Sequence, residues 1–339
     1  MHWKWYKSDL QRIPRNGLKV FSCFSCGGGS SYGYKLAGYE LIGNCEIDPK
    51  INAMYVKNHK PRYNFPMDIR DFNNLQDIPD ELKALDILDG SPPCSTFSMA
   101  GDREKNWGRE KAFREGQKKQ ILDDLFFEFL NTVERLRPKV VVAENVEGMV
   151  RGKAKYYVTM IIQRFKELGY DVQLFKLNSM FMGVPQSRIR VFFVANRMKY
   201  PKLRLDFKQR PITYKEIKEP RGKPIGKDTK AYALLKKRIP ADKTLGDINM
   251  RLYNKLSCFN QAIVDDFTVM PTVTSSGEMY RPDGTRVTDG DYISASTFPQ
   301  DYDFNGNPPQ YVCGMSVPPL MMYGIANEIY KQWLKPEGE

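Results

Sequence analysis

A run of four apolar residues, Val140 to Ala143, gives neither face of a strand a polar side chain. A strand with one face in water alternates apolar and polar residues, whereas a strand in a parallel sheet is covered by helices on both faces. Helical periodicity over residues 117–136 precedes the run, and a second helix is predicted over residues 155–168. We therefore predict an α/β fold, with a parallel sheet that carries helices on both faces.

The stretch 84–89 predicts another buried strand, which ends abruptly at Gly90-Ser91-Pro92-Pro93. Neither proline can donate a ladder hydrogen bond, and each fixes φ, so the chain leaves the sheet in a stiff elbow. Cys94 follows this elbow at the carboxyl edge of the sheet, where open α/β folds bind their ligands. A free cysteine is more often a buried structural residue, and Cys94 taken alone favours that interpretation.

The segment from Leu18 to Gly38 predicts a strand, a glycine turn at residues 27–29 and a short helix. Glycines at a helix N-terminus let the backbone approach a nucleotide-type cofactor closely, although such turns are common. A further strand then ends at Glu46-Ile47-Asp48-Pro49. An acid about twenty residues after the glycines suits hydrogen bonds to ribose hydroxyls, and Asp48 also suits the start of a helix.

Three other predicted strands carry polar residues at their ends or within them. Asp68 stands at a strand–helix junction, where it can cap the helix. Glu144 follows the apolar run 140–143 and is either a capping acid or a functional one. In the strand predicted over residues 183–194, Arg188 and Arg190 alternate with apolar residues, which places both on one face.

The positive charge of the chain is concentrated in one segment. The formal net charge is +12, and residues 197–256 contain 18 Lys or Arg against 6 Asp or Glu. That segment therefore carries the whole excess, and the rest of the chain is neutral. A solvated basic face would explain some of this, but the concentration favours a surface that contacts nucleic acid.

Other function classes find little support. No apolar run reaches the roughly 18 residues of a membrane span, and the first residues lack the apolar core of a signal peptide. Six scattered cysteines predict a reducing, cytoplasmic setting, and Cys23-x-x-Cys26 has no second pair with which to hold a metal. The two histidines, His2 and His59, follow no strand end, so chemistry that needs a histidine base is not expected.

Together the motifs resemble those of the DNA (cytosine-5) methyltransferases of bacteria and phages. The match covers residues 18–195 and 285–330, and a series of ordered motifs at strand ends is far more specific than any one of them. The motifs are Phe24-x-x-Gly27-Gly28-Gly29, Glu46-Ile47-Asp48, Asp68-Ile69, Pro92-Pro93-Cys94, Glu144-Asn145-Val146, Gln186-x-Arg188-x-Arg190 and Gly314-x-Ser316-Val317-Pro318-Pro319.

The resemblance implies a covalent mechanism. Carbon C5 of cytosine is too weak a nucleophile to accept a methyl group until a thiolate adds at C6 and makes the ring enamine-like. Cys94 would be that nucleophile, and Glu144 would bind the N3/N4 edge of the base and supply a proton to N3. Arg190 would contact the cytosine, with Arg188 in support. The target base must be flipped out of the duplex.

The implied methyl donor is S-adenosylmethionine, bound by the same Rossmann-like methyltransferase sheet. By resemblance, Phe24 stacks on its adenine, the glycines accommodate its amino-acid end and Glu46 holds its ribose. The predicted cofactor-binding residues are Phe24, Cys26, Gly27, Gly28, Gly29, Glu46, Ile47, Asp68, Ile69, Pro92, Leu125 and Ser316.

The chain departs from the family pattern in three places. Cys26 stands where the family usually has glycine, which costs backbone freedom. Met315 replaces an asparagine near the cofactor, so cofactor affinity is in question. An interdomain element is degraded to Arg286-Val287-Thr288, with Asp289 or Asp291 nearby.

The implied organisation is a catalytic domain of residues 1–195, completed by residues 310–339, and a small target-recognition domain of residues 196–309. The second domain coincides with the basic segment, so we expect it to grip duplex DNA. No membrane and no metal are expected as partners, and the family architecture predicts a monomer. The DNA sequence recognised and the setting (restriction-modification, phage or neither) stay open.

Three alternatives remain open. The same catalytic core methylates transfer RNA in one branch of the family, although the long basic segment argues against this substrate. A catalytically inactive DNA-binding relative would suit Met315 and Cys26, but not the intact motifs around Cys94 and Glu144. An unrelated Rossmann-type dehydrogenase leaves Cys94, Glu144 and the paired arginines unexplained.

Overall fold

The computed structural model describes residues 2–93, 110–111, 120–121, 124–152, 154–259 and 261–335. The chain forms two compact units. The first, here called the sheet unit, comprises Leu10–Asn178, Ile189–Asp206 and Met321–Glu339. The second, the loop-rich unit, comprises Met1–Asp9, Ser179–Arg188 and Phe207–Leu320.

The sheet unit is built on one seven-stranded sheet. Its strands are β1 (Lys19–Cys23), β2 (Glu40–Cys45), β3 (Tyr63–Phe65), β4 (Ile87–Gly90), β5 (Val140–Val146), β6 (Asp171–Asn178) and β7 (Ile189–Asn196). They lie in the order β3-β2-β1-β4-β5-β7-β6. The pairings among β1 to β5 are parallel, whereas β7 runs antiparallel to both of its neighbours. The predicted Rossmann-like α/β sheet is confirmed.

Helices connect these strands. They are α1 (Gly29–Leu36), α2 (Pro49–His59), α3 (Ile69–Asn74), α4 (Leu125–Leu136) and α5 (Ala154–Glu167), with short 3-10 helices at Lys7–Arg12, Asp80–Ala84 and Glu147–Val150. The helix predicted from residue 117 begins only at Leu125, because residues Gln120–Ile121 instead pair with Glu110–Lys111 as a small antiparallel ribbon.

The core of the sheet unit lies where α4 packs on the centre of the sheet. Val140 to Ala143 are fully buried, as their uninterrupted apolar pattern predicts, and so are Phe129 and Val133 of α4. Burial of each such side chain is worth about 1.5–3 kcal/mol. At Gly90 a β-carbon would overlap the Phe129 ring, so the last residue of β4 is a glycine because α4 passes directly over it.

Two helix starts follow the sequence directly. The carboxylate of Asp48 accepts hydrogen bonds from the amides of Lys50 and Ile51 at 2.9 and 3.2 Å, with Pro49 as the first residue of α2. The carboxylate of Asp68 accepts from the amide of Arg70 at 2.9 Å. Both acids therefore act as N-caps, which explains why each stands at a strand–helix junction.

The loop-rich unit contains five short helices and two small strand pairs among its described residues. The helices are α6 (Tyr214–Ile217), α7 (Lys230–Leu235), α8 (Leu245–Tyr253), α9 (Asp289–Ala295) and α10 (Pro309–Met315). Lys223–Pro224 pairs with Thr285–Arg286, and Met270–Pro271 pairs with Gln186–Ser187. A small core of its own contains Leu234, Leu245, Ile248 and Tyr280.

The degraded element around Thr288 has a clear structural role. Thr288 and Asp291 form a capping box at the start of α9. The Asp291 carboxylate is fully buried and also accepts hydrogen bonds from the Tyr214 hydroxyl at 2.7 Å and from Arg281 Nη2 at 2.6 Å. Asp291, rather than Asp289, is therefore the acid that organises this part of the loop-rich unit.

The chain completes the sheet unit with its last segment. Helix α11 (Pro319–Ile329) continues as a π-helical turn at Tyr330–Leu334. The backbone oxygen of Ala326 accepts a hydrogen bond from the Tyr39 hydroxyl at 3.0 Å, and the indole of Trp333 donates to the backbone oxygen of Pro201 at 2.8 Å. The chain passes from one unit to the other after Asp9, Asn178, Arg188, Asp206 and Leu320. The predicted functional boundary at residue 195 stays a prediction.

Within the part of the chain that the structure describes, no helix combines the length and apolarity needed to cross a membrane. The same residues form no cluster of three or more histidine, cysteine, aspartate or glutamate side chains that could hold a metal ion.

Candidate active site

The strand register aligns several predicted residues at one edge of the sheet. Cys23 pairs with Cys45 on one side and with Gly90 on the other, and Gly90 pairs with Ala143. Because these strands are parallel, the next residue of each lies in a common row at their carboxyl ends. That row contains Phe24, Glu46, Ser91 and Glu144.

The glycine turn after β1 has an unusual backbone. Phe24, Cys26 and Gly28 have φ values of +52°, +45° and +70°. Gly28 is the N-cap of α1, and no side chain caps this helix. A β-carbon on Gly28 would overlap the imidazole of His59, which packs beneath the turn. Glycine is thus required at position 28 by both its conformation and its neighbour.

Glu46 holds the glycine turn in place. Its Oε2 accepts a hydrogen bond from the Cys26 amide at 2.9 Å, and its Oε1 accepts from the Asp48 amide at 3.0 Å. Burial raises the pKa of Glu46, and the two amide donors oppose that rise. Each carboxylate oxygen can accept a further hydrogen bond, which is what a ribose hydroxyl would require.

Glu144 and Arg190 form an ion pair across β5 and β7. The Nε of Arg190 lies 2.9 Å from Oε1 of Glu144, and the two side chains are only 14% and 11% exposed. Burial lowers the pKa of Arg190, and the Glu144 carboxylate opposes that change. The pair fixes a carboxylate beside a guanidinium at the same edge as the glycine turn.

Asn145 ties this acid to the proline elbow. Its Nδ2 donates a hydrogen bond to the backbone oxygen of Pro92 at 3.3 Å, and Pro92 is buried. Cys94, the predicted nucleophile, lies outside the described residues. The structure therefore describes the elbow up to Pro93.

Arg188 differs from its prediction. The single strand expected over residues 183–194 is in fact two, Gln186–Ser187 and β7, and Arg188 lies between them. Its buried guanidinium belongs to the loop-rich unit, where it donates to the backbone oxygens of Val273 and Gly314, both at 3.0 Å. The expectation that Arg188 and Arg190 share one face of a strand is wrong, because Arg188 instead satisfies two buried carbonyls.

The other predicted cofactor residues fall into three groups. Ile47 is half-buried beside Glu46, and Asp68 caps α3. Ile69 and Leu125 are buried in the hydrophobic core of the sheet unit. Ser316 is buried in the loop-rich unit, at the end of α10. Among the described residues, Arg188 and Ser316 lie in the loop-rich unit, and all the other predicted site residues lie in the sheet unit.

Sequence reasoning missed one polar group at this edge. Asp89, the third residue of β4, is buried and accepts hydrogen bonds from the hydroxyls of Ser22, Ser30 and Tyr34. The only available signal was a carboxylate one residue before the end of an otherwise apolar strand. His59 gave no signal, because its contact with Gly28 depends on how α2 folds back.

Solved structures with the same fold include known methyltransferases. A protein encoded within an E. coli prophage aligns with a TM-score of 0.66 at 20% identity, over 93% of this chain and 99% of that one. The S. pombe Dnmt2 methyltransferase aligns with a TM-score of 0.61 at 16% identity, over 93% and 99% of the two chains. The chain therefore shares the fold of these two proteins.

The sequence identifies the family to which the chain belongs. The profile of the C-5 cytosine-specific DNA methylases matches residues 18–331, so the chain belongs to that family, and the resemblance drawn from its motifs is confirmed.

Curated relatives come from bacteria and phages. The type II methyltransferase M.FnuDI of Fusobacterium nucleatum is 36% identical over 202 residues, which are 59% of this chain and 53% of the relative. The orphan methyltransferase M.SPRI of Bacillus phage SPR is 32% identical over 204 residues, 58% and 43% of the two chains. The matched region spans about half the length of these relatives.

Proposed function

We propose that the protein transfers a methyl group from S-adenosylmethionine to C5 of cytosine in duplex DNA. The observation that carries this proposal is the ion pair of Glu144 and Arg190, which lies at the same sheet edge as the glycine turn and the Pro92-Pro93 elbow. Family membership supports the reaction class.

The residues of the glycine turn fit the donor. Gly28 lets the turn adopt its left-handed backbone above His59, and Glu46 keeps acceptor capacity for the ribose while it orders the turn. Phe24 follows β1 directly and stands three residues before the first of the glycines. When bound, S-adenosylmethionine would supply an electrophilic methyl group.

The protein's own groups would perform the remaining steps. The Cys94 thiolate adds to C6 of a flipped-out cytosine while Glu144 supplies a proton to N3, so the ring becomes an enamine that is nucleophilic at C5. Arg190 holds Oε1 of Glu144 and thereby orients the carboxyl group. After methylation, a base removes the C5 proton, Cys94 leaves as the thiolate and N3 returns its proton to Glu144, which restores the aromatic ring.

The basic segment supports DNA as the substrate. Lys227, Lys230, Lys236, Lys237 and Lys255 are exposed, and within the described residues none of them pairs with a carboxylate. Such cations on one stretch of chain suit a row of phosphates. Arg238 and Arg251 instead pair with Asp265 and Asp242, so they stabilise the unit itself.

The direct test is transfer of a tritiated methyl group to mixed duplex DNA and, in parallel, to bulk tRNA. We expect label in DNA cytosine, loss of label with Cys94→Ala, and full activity with the matched control Cys258→Ala. Label in tRNA alone would overturn the DNA assignment. Undiminished label with Cys94→Ala would show that another group is the nucleophile.

A further inference from the structure

A buried carboxylate connects the helix that follows the glycine turn with the strand that leads into the Pro92-Pro93 elbow. Asp89 lies in β4, five residues before Cys94, and only 1% of it is exposed. Its Oδ2 accepts hydrogen bonds from the Ser22 hydroxyl of β1 at 2.8 Å and from the Ser30 hydroxyl of α1 at 2.7 Å. Its Oδ1 accepts from the Tyr34 hydroxyl, also of α1, at 3.3 Å.

The same contacts hold the start of α1 from beneath. Gly28 caps this helix without a side chain, so the glycine turn depends on the first helical turn for its position. Ser30 is fixed by Asp89 of β4, and Ser31 shares a hydrogen bond of 2.9 Å with the Tyr55 hydroxyl of α2. Two adjacent hydroxyls thus anchor the helix that follows the glycines.

This carboxylate is not placed where it would best stabilise the fold. Its described partners are three neutral hydroxyls, and no described cation pairs with it. Burial raises the pKa of Asp89 to about 6, and the hydroxyls only partly oppose this. A carboxylate that is harder to ionise in the folded protein than in the unfolded chain lowers stability at neutral pH.

We infer that Asp89 is a positioning residue, whose ionised carboxylate holds the glycine turn at the distance from the Pro92-Pro93-Cys94 elbow that methyl transfer requires. This inference rests on the proposed function, because it assigns the glycine turn to S-adenosylmethionine. Asp89 connects β4, which leads into the elbow, with Ser30, which follows the glycines. A neutral side chain at position 89 can accept fewer hydrogen bonds, so the turn loosens.

Few of the described groups around Asp89 could produce the same pH dependence of binding. Cys23 of β1, Tyr34 of α1 and Tyr55 of α2 interact with it, and burial raises the pKa of each well above neutrality. Glu144 of β5 raises the pKa of Asp89 and is itself paired with Arg190. Two further titratable groups lie beside the turn: His59 of α2 packs against Gly28, and Glu46, whose pKa burial raises, accepts from the Cys26 amide.

The test measures the dissociation constant of S-adenosylmethionine by calorimetry between pH 5 and pH 8. For the wild-type protein, affinity should fall as the pH drops through about 6, where Asp89 takes up a proton. Asp89→Asn should weaken binding roughly tenfold at pH 8, as expected for lost hydrogen bonds to a charged group, and should flatten the pH profile. The variant should nevertheless unfold at an equal or higher temperature than wild type at pH 8.

Asp86→Asn provides a matched control three residues earlier in the chain. Asp86 is also buried, but its carboxylate binds the Lys19 amide and the Lys139 ammonium at 2.8 and 2.7 Å, just before β4 begins. We expect this variant to be less stable than wild type and to keep the wild-type pH profile of binding. Ser30→Ala should weaken binding as Asp89→Asn does, and the double variant should be no weaker than either one.

Different outcomes separate the possible failures. Absence of S-adenosylmethionine binding by the wild-type protein would overturn the proposed function. Normal binding by Asp89→Asn would overturn the positioning role alone. A pH profile that persists in Asp89→Asn would assign the proton to another group, with Glu46 and His59 the first to examine, and would equally overturn the inference.

Discussion

Two residues of the glycine turn adopt a left-handed backbone although neither is glycine. Phe24 and Cys26 have φ values of +52° and +45°. This conformation costs a residue with a β-carbon roughly 1–2 kcal/mol. For Cys26, the hydrogen bond from its amide to Glu46 offsets part of that cost. The replacement of the family's glycine by Cys26 should therefore have a measurable cost in the free energy of unfolding.

Cys26→Gly should therefore stabilise the protein. We expect a gain of about 0.5–1 kcal/mol in the free energy of unfolding, because glycine removes the strain but loses more entropy on folding. Urea unfolding measures this difference. Cys23→Gly, at the buried last residue of the interior strand β1, is the control and should be destabilising. A loss of stability with Cys26→Gly would show that the cysteine side chain makes a contact that outweighs the strain.

The pair of Glu144 and Arg190 is predicted to serve both stability and catalysis. Glu144→Gln leaves the buried Arg190 without its counter-charge, so the free energy of unfolding should fall by roughly 3 kcal/mol. Methyl transfer should fall by at least about 100-fold, because the proton donor to N3 is lost.

Single-turnover kinetics and urea unfolding on the same preparations separate the two effects of Glu144→Gln. Glu147→Gln, three residues later, is the matched control, since Glu147 pairs with Arg151 and Lys176 at the surface. Methyl transfer by Glu144→Gln at a rate within tenfold of wild type would exclude Glu144 as the proton donor.

At the scale of elements, α4 and β4 fit each other through a single glycine. Helix α4 presents Phe129 to the last residue of β4, and the space at Gly90 exists because glycine lacks a β-carbon. The elbow that leads to Cys94 begins at this residue. Packing of the helix therefore influences where the strand ends and the elbow starts.

Gly90→Ala should destabilise the protein by about 1–3 kcal/mol, because the new methyl group overlaps the Phe129 ring in a closely packed core. Thermal unfolding measures the loss. In the Gly90→Ala/Phe129→Leu double variant the smaller side chain should recover part of it. If the stability losses of Gly90→Ala and Phe129→Leu simply add in the double variant, the two positions are not in contact.

The elements also show where pattern reading succeeds. The apolar run 140–143 predicts a central strand because burial on both faces favours apolar residues at successive positions. The direction of β7 and the break at Arg188 were not predictable, because alternation of residues carries no information about strand direction or about which carbonyls need a donor. Likewise, the late start of α4 depends on pairing of Gln120–Ile121 with Glu110–Lys111, a contact between distant residues.

At the scale of the whole molecule, the excess positive charge and the sheet lie in different parts of the chain. The sheet contributes the candidate catalytic groups, whereas the lysines without carboxylate partners named above lie in the loop-rich unit. The sequence located this charge, because charge can be counted along the chain. It could not locate Asp89 in its network, since Ser22, Ser30 and Tyr34 reach that carboxylate only after β1, β4 and α1 have assembled.

Affinity for duplex DNA should fall steeply with salt. Each phosphate contact contributes a slope of about −0.9 in log K against log salt, so Lys236→Gln/Lys237→Gln/Lys255→Gln should flatten the slope by up to about 2.7. Fluorescence anisotropy at salt concentrations between about 50 and 200 mM measures this slope. The triple variant of Lys50, Lys155 and Lys166, exposed lysines of the sheet unit, should keep the wild-type slope. Identical slopes for both triple variants would place the DNA contact elsewhere.

The path of the chain through the sheet unit has a consequence for how the protein is made and how it can change. The sheet unit leaves off at Asp206 and resumes at Met321, so a ribosome must synthesise the chain beyond residue 321 before that unit can close. Loop-closure entropy grows only slowly with length, and doubling the intervening segment would cost about 0.6 kcal/mol. Evolution can therefore lengthen, shorten or exchange this segment at little thermodynamic cost, while the residues at the sheet edge stay where they are.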